Sequence, residues 1–146
     1  MEKSTIQRKE RSSFGEMAVE GLFAGVVAGV AMLLVLVLAG LLSGQAPGMV
    51  AGRFSLQTSP NPVQGTLLHL AVSATYGLLF GLLFVLLGRR LSAWALALLY
   101  ALAIYLLAVF VLLPGSGSGL LQIAPLHFAL AHLVYGLVLG YWFRRK

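Results

Sequence analysis

GLFAGVVAGVAMLLVLVLAGLL, residues 21–42, runs for 22 residues without a charge. As a helix it would measure about 33 Å, enough to cross the roughly 30 Å hydrocarbon core of a bilayer. A secretory signal also sets a basic region before an apolar run, but its core spans only about 7–15 residues, so residues 21–42 read as a retained membrane span. The rest of the chain keeps the same character. Apolar residues make up 60% of the 146 and charged residues 10%, and mean hydropathy is +0.95. Soluble domains run nearer half apolar and a quarter charged, and a chain of this length could not hide so much apolar surface from water.

The charge balance is +6, from ten Lys and Arg against four acids. A pI near 10.2 would elsewhere raise the question of nucleic acid. Here the cations stand at the ends of apolar runs, where they act as topology signals and contacts to anionic lipid headgroups, and no nucleic-acid partner is expected. With no cysteine, disulfides, thiolate chemistry, Cys-ligated zinc and iron–sulfur clusters are excluded.

Outward from the first span, residues 1–15 read as a polar cytoplasmic tail. Helix is expected only from about Ser13, where Ser12 or Ser13 can cap with Glu16 close behind. Glu20 is the one acid near the bilayer, and it fits the interface at the favourable end of the helix dipole. Residues 43–65 form the longest connection, punctuated by Pro47-Gly48 and Pro60-Asn61-Pro62; within it MVAGRF, residues 49–54, can lie along the headgroups, although it is too short to be amphipathic. GRRL, residues 88–91, is so short that the second and third helices must form an antiparallel hairpin. Trp94 suits an interfacial position, and Tyr100 and Tyr105 are expected to pack inside the third helix. PGSGSG, residues 114–119, is a flexible turn after Pro114; it lacks the lysine and spacing of a phosphate-binding loop. Pro125 fits the first turn of the last helix, which closes on Tyr141, Trp142 and the basic residues 144–146.

The expected architecture is an all-α, integral membrane four-helix bundle. A single transmembrane domain covers residues 16–143, with helices at about 16–42, 66–88, 92–113 and 124–143. Nine of the ten basic residues fall in alternate segments, namely the N-terminal tail, the 88–91 turn and the C-terminus. The positive-inside rule then sets both termini in the cytoplasm of a prokaryotic cell, with the chain multi-pass in its inner membrane.

Within these spans, Gly21, Gly25 and Gly29 recur every fourth residue. In water each would weaken a helix by about 1 kcal/mol against alanine, but in lipid such a strip lets a neighbouring helix approach closely. His69, Ser73, Gly77 and Gly81 repeat the interval on the second helix, with Tyr76 on nearly the same face. His132, Gly136 and Gly140 repeat it on the last, beside Tyr135. The stretches 69–81 and 127–140 share a YGxxxG core, which suggests two related helical hairpins.

The three histidines are the candidates for specific chemistry, because an ionisable side chain inside a membrane needs a named partner. Hydrogen bonding to Tyr76, Tyr135, Ser73 or a carbonyl on a neighbouring helix is the first explanation. The second is axial ligation of a noncovalent haem or chlorophyll-type pigment, since two imidazoles on facing helices of a bundle can clamp a metal at the centre of a macrocycle. With the second helix starting near residue 66, His69 and His127 are the depth-matched pair, and His69 with His132 would tilt the ring. Proton or solute passage by an oligomer is a third. A nonhaem metal site is not expected, because no membrane carboxylate joins the histidines. Nor is an enzyme: every acid precedes residue 21, and no serine has a histidine and acid arranged for nucleophilic catalysis.

HLVYGLVLG, residues 132–140, with the span layout, resembles a group of uncharacterised small bacterial inner-membrane proteins with four spans and an H-x-x-Y-G-x-x-x-G motif in the last. That resemblance implies a fold and a location and no activity. The sequence alone thus points to a structural or accessory subunit, packing against a partner membrane protein or a second copy of itself.

Overall fold

A computed structural model describes residues 2–56, 59–88 and 90–145, with the backbone alone for residues 2–13. The order of elements is α1 (Glu2–Leu42), α2 (Pro47–Gly52), α3 (Pro62–Leu87), α4 (Ala93–Leu107), a π-helical turn (Ala108–Leu112), a 3-10 turn (Gly119–Gln122) and α5 (Pro125–Phe143). Four segments are long and apolar enough to cross a membrane: Phe14–Leu42, Pro62–Leu87, Ala93–Leu112 and Pro125–Phe143. Among the described residues there is no strand. The all-helical, four-span architecture expected from composition is therefore the one observed.

The spans stand in a ring in the order α1, α3, α4, α5. α1 lies along α3 and against α5, α4 packs on α5, and α3 and α4 meet only lightly. Outward faces carry large apolar side chains such as Phe23, Leu34, Leu38 and Phe110, all exposed, as lipid contact requires. Inside, Ala24, Ala28, Phe80, Ala97, Ala131 and Leu139 are fully enclosed.

Three boundaries differ from the expectation. First, α1 is helical from Glu2, through Ser12 and Ser13. Residues 2–11 are mostly Glu, Lys, Gln and Arg, all strong helix formers, so helix extends outward from the span and no cap interrupts it. Second, α3 begins at Pro62, about one turn before the expected residue 66. Asn61 Oδ1 accepts from the Gln64 amide at 3.0 Å, and Pro62 occupies the first turn, where its missing N–H costs nothing. Third, the long connection contains a short helix, α2, that packs on the bundle. Val50, Ala51 and Gly52 are buried, with Val50 against Gly40 of α1 and Ala51 O against Gly65 of α3, so the 43–61 connection folds back over its end of the bundle. The remaining ends agree closely: Ser92 caps α4 through the Ala95 amide at 3.1 Å. In the 114–119 turn, Gly115 and Gly117 adopt φ of 71° and 65°, a left-handed backbone that glycine takes without strain. Arg89 and Lys146, which entered the charge argument, lie outside the described residues.

At the end of the bundle that holds the chain termini, Trp142 Nε1 donates to Glu20 Oε2 at 2.8 Å. This ties the last turn of α5 to α1 and gives Glu20 a partner that its sequence neighbourhood did not reveal.

Candidate functional site

The second and fourth spans each enter the bundle at a proline and carry a histidine seven residues later, His69 after Pro62 and His132 after Pro125. At 1.5 Å per residue both imidazoles sit about 10 Å inside their helices. The depth-matched pair is therefore His69 with His132, not His69 with His127. The expected pairing rested on a start for α3 that was one turn too late.

Both histidines are buried, His69 at 6% exposure and His132 at 7%. His69 lies on the face of α3 that packs on α1, and its Nε2 donates to Gly29 O at 2.9 Å. Gly29 has no side chain to obstruct this approach; a Cβ there would meet Ser73 Oγ at 2.6 Å. His132 turns back along its own helix, with Nδ1 donating to Phe128 O at 2.8 Å. The expected tyrosine partners do not serve them. Tyr135 instead donates from its hydroxyl to Ser73 O at 2.7 Å, crossing from α5 to α3. Tyr100, expected simply to pack, donates to Tyr76 O at 2.7 Å and joins α4 to α3 along their light seam.

Rings enclose the two imidazoles. Phe54, from the connection folded over the bundle end, stacks obliquely on His69 with centroids 4.5 Å apart. Phe128 and Tyr105 present edges to His132, at 4.5 Å and 5.5 Å. Between these walls lies a cavity of about 260 Å³ that both histidines, Met32, Ser73 and Tyr76 help to line. Three lining residues also face outward, Val72 and Leu112 at 52% exposure each and Leu56 of the 43–61 connection at 84%. Val72 and Leu112 flank the α3–α4 seam, so the cavity is a crevice that reaches the outer face of the bundle along that seam as well as at the connection. The π-helical turn forms part of its wall through Ala108 and Leu112, and Leu113 N bonding to Ala108 O at 2.9 Å is the widened hydrogen bond that defines it.

His127 is elsewhere. It lines a separate space of about 90 Å³ with Arg53, Gln45 and Gln122, above α5 at the loop end. Five residues from His132, it points to a different side of the helix. Among the described residues no group of three or more His, Cys, Asp or Glu is placed to hold a metal ion.

The small residues take the packing positions. Gly21 and Gly25 lie against the backbone of Gly77 and Ser73, and Gly81 against Met17 and Gly21. Gly136 fits against Ala101 and Ala97, and Gly140 against Trp94. The two YGxxxG cores thus do not meet each other. Each packs on the preceding span, α3 on α1 and α5 on α4, which is the arrangement of two similar hairpins. Phe54, Met32 and the π-turn were not legible as site residues, because each comes to the crevice through the tertiary fold and none carries a local signal.

Residues 15–146 match a protein family described as a family of unknown function, DUF6789, and the chain belongs to it. No curated protein and no solved structure matches the chain.

Proposed function

We propose that this DUF6789 protein is a small, non-enzymatic membrane protein that takes up a membrane-soluble ligand through the crevice between α3 and α4. The observation that carries this is the crevice itself: two buried histidines at one depth, in a cavity of about 260 Å³ that reaches the outer face of the spans at Val72 and Leu112. Buried polar groups in an apolar wall, converging on space that a small molecule can enter, are the usual mark of a ligand site. A mouth between membrane spans admits what is dissolved in the bilayer.

The size of the crevice argues against the pigment alternative. Pockets for drug-sized ligands run to about 300–1,000 Å³, and a tetrapyrrole macrocycle is no smaller than such ligands. The protein purified from its native membrane is expected to show no Soret or chlorophyll band. Solute passage is also disfavoured: beyond Tyr76, α1 and α3 close on each other through Gly21, Gly25, Gly77 and Gly81, so the crevice does not continue between them. The accessory-subunit alternative remains compatible with the small size of the chain. For location, the alternation of basic segments supports a prokaryotic inner membrane with both termini in the cytoplasm.

The test is a comparison of organic extracts, by mass spectrometry, from wild-type protein and Val72→Trp protein purified from native membranes. Val72 is half exposed at the mouth, so a larger side chain can block entry without overfilling the core. A small molecule enriched with the wild type and depleted in the variant is expected. Identical extracts would remove the proposal.

A further inference from the structure

The hydrogen bonds that hold the two histidines also determine what their remaining nitrogens can offer. Gly29 O and Phe128 O are carbonyl oxygens and can only accept, so the protons lie on His69 Nε2 and His132 Nδ1. No carboxylate lines the crevice, and an uncompensated imidazolium within a bilayer is costly, so both rings are neutral. The second nitrogen of each, His69 Nδ1 and His132 Nε2, is then a lone-pair acceptor. Neither has a hydrogen-bond partner among the described residues. Nor are they sealed away: among the described residues, Gln64 Oε1 is the one fully enclosed side-chain polar atom left without a partner. The two acceptors therefore border open space, on side chains that are more than nine-tenths buried.

The shape of that space is equally specific. An apolar cavity of about 150 Å³ is known to hold benzene, so about 260 Å³ seats one substituted ring and not several. Phe54, Tyr76 and Phe128 supply aromatic wall, suited to a flat ring. The gap between Val72 and Leu112 gives an aliphatic tail a way out to the lipid. Two acceptors around a single-ring space call for a ring with hydroxyl donors.

We infer that the crevice binds the head of a quinol-type lipid, an aromatic diol on an aliphatic tail, in preference to the matching quinone. The inference rests on the crevice being a ligand site. A quinone carries only acceptors on its ring and would set them against two further acceptors, whereas the diol satisfies both histidines. Sites built to hydrogen-bond a hydroxyl discriminate strongly against an analogue that lacks it.

The experiment uses the full-length protein in lipid nanodiscs under anaerobic conditions. A decyl-substituted benzene-1,4-diol, the matching quinone and the matching dimethyl ether are titrated calorimetrically. The diol is expected to bind about tenfold or more tighter than either of the others. His69→Phe and His132→Phe are expected to abolish that preference while binding the ether as the wild type does, which also shows that they fold. Should either variant fail to fold, nitrogen NMR of the wild type decides. His69 Nδ1 and His132 Nε2 should shift on adding the diol and stay in place with the ether, and unmoved resonances overturn the inference. Equal affinity for all three compounds overturns the preference for donors and leaves the crevice a ligand site. No binding of any compound, with Val72→Trp indistinguishable from wild type, overturns both.

Discussion

At 1% exposure, Tyr135 is the largest side chain fully enclosed in the bundle, and it joins α5 to α3 by one hydrogen bond to Ser73 O. Interhelical bonds of this kind are worth about 0.6 kcal/mol on average in a membrane protein. The Ser73 carbonyl lies inside α3 and keeps its helical partner when the tyrosine hydroxyl is removed. Tyr135→Phe is therefore expected to lower stability by about that amount, read from denaturation in detergent micelles, and to leave the helix content unchanged. The residue types at this site were legible in the sequence, but their partners were not. A tyrosine, a serine or a carbonyl on a neighbouring helix was expected to satisfy each histidine; His69 takes the carbonyl, because Gly29 lets α3 come close enough for it to reach across, while His132 takes a carbonyl of its own helix. The choice between two satisfied partners depends on distances of a few ångströms, which no spacing along the chain encodes.

Among the elements, the pair α1 and α3 depends most directly on glycine. A Cβ on Gly77 would meet Gly21 O and Gly25 Cα, both backbone atoms that cannot rotate away. Gly15, by contrast, has nothing within 4 Å of where its Cβ would be. Gly77→Ala is expected to cost about 1–3 kcal/mol, as overpacking does. Gly15→Ala should be neutral or stabilising, by up to about 1 kcal/mol from helix propensity alone. Thermal denaturation of the two variants in the same detergent measures the difference, and equal melting temperatures would show that the helices do not approach as closely as described. The every-fourth-residue interval announced these packing faces in advance. Which face meets which did not follow from it, since the strips on α3 and α5 are alike and could have met each other. The start of α3 is a different case: Asn61-Pro62 is a cap signal present in the sequence, and reading the helix from residue 66 shifted His69 by one turn against the last span.

For the whole molecule, four spans bring the two termini to one end, where Trp142 and Glu20 join them. Reporter fusions before Met1 and after Lys146 are expected to report the cytoplasmic face, and a reporter inserted at Gly117, in the loop after α4, the opposite one. A C-terminal fusion on the outer face would reverse the proposed orientation. The ring order also explains where a crevice can form. α1 is held to α3 by glycine contacts and α4 to α5 by Gly136 and Gly140, while the α3–α4 seam has Tyr100 to Tyr76 O as its tie. The weakest seam of the bundle is the one that opens.

Hydrophobicity, glycine intervals and the distribution of cations are properties of the chain itself, and they were enough to determine a four-span helical membrane protein with small-residue packing faces. The transfer free energy of a long apolar run depends on its composition, whatever its neighbours. The histidine pair, the fold-back of Phe54 and the crevice were decided by the tertiary structure alone. They arise from the depth at which each helix starts and the rotation at which it meets the next, and both are set by contacts between residues far apart in the chain.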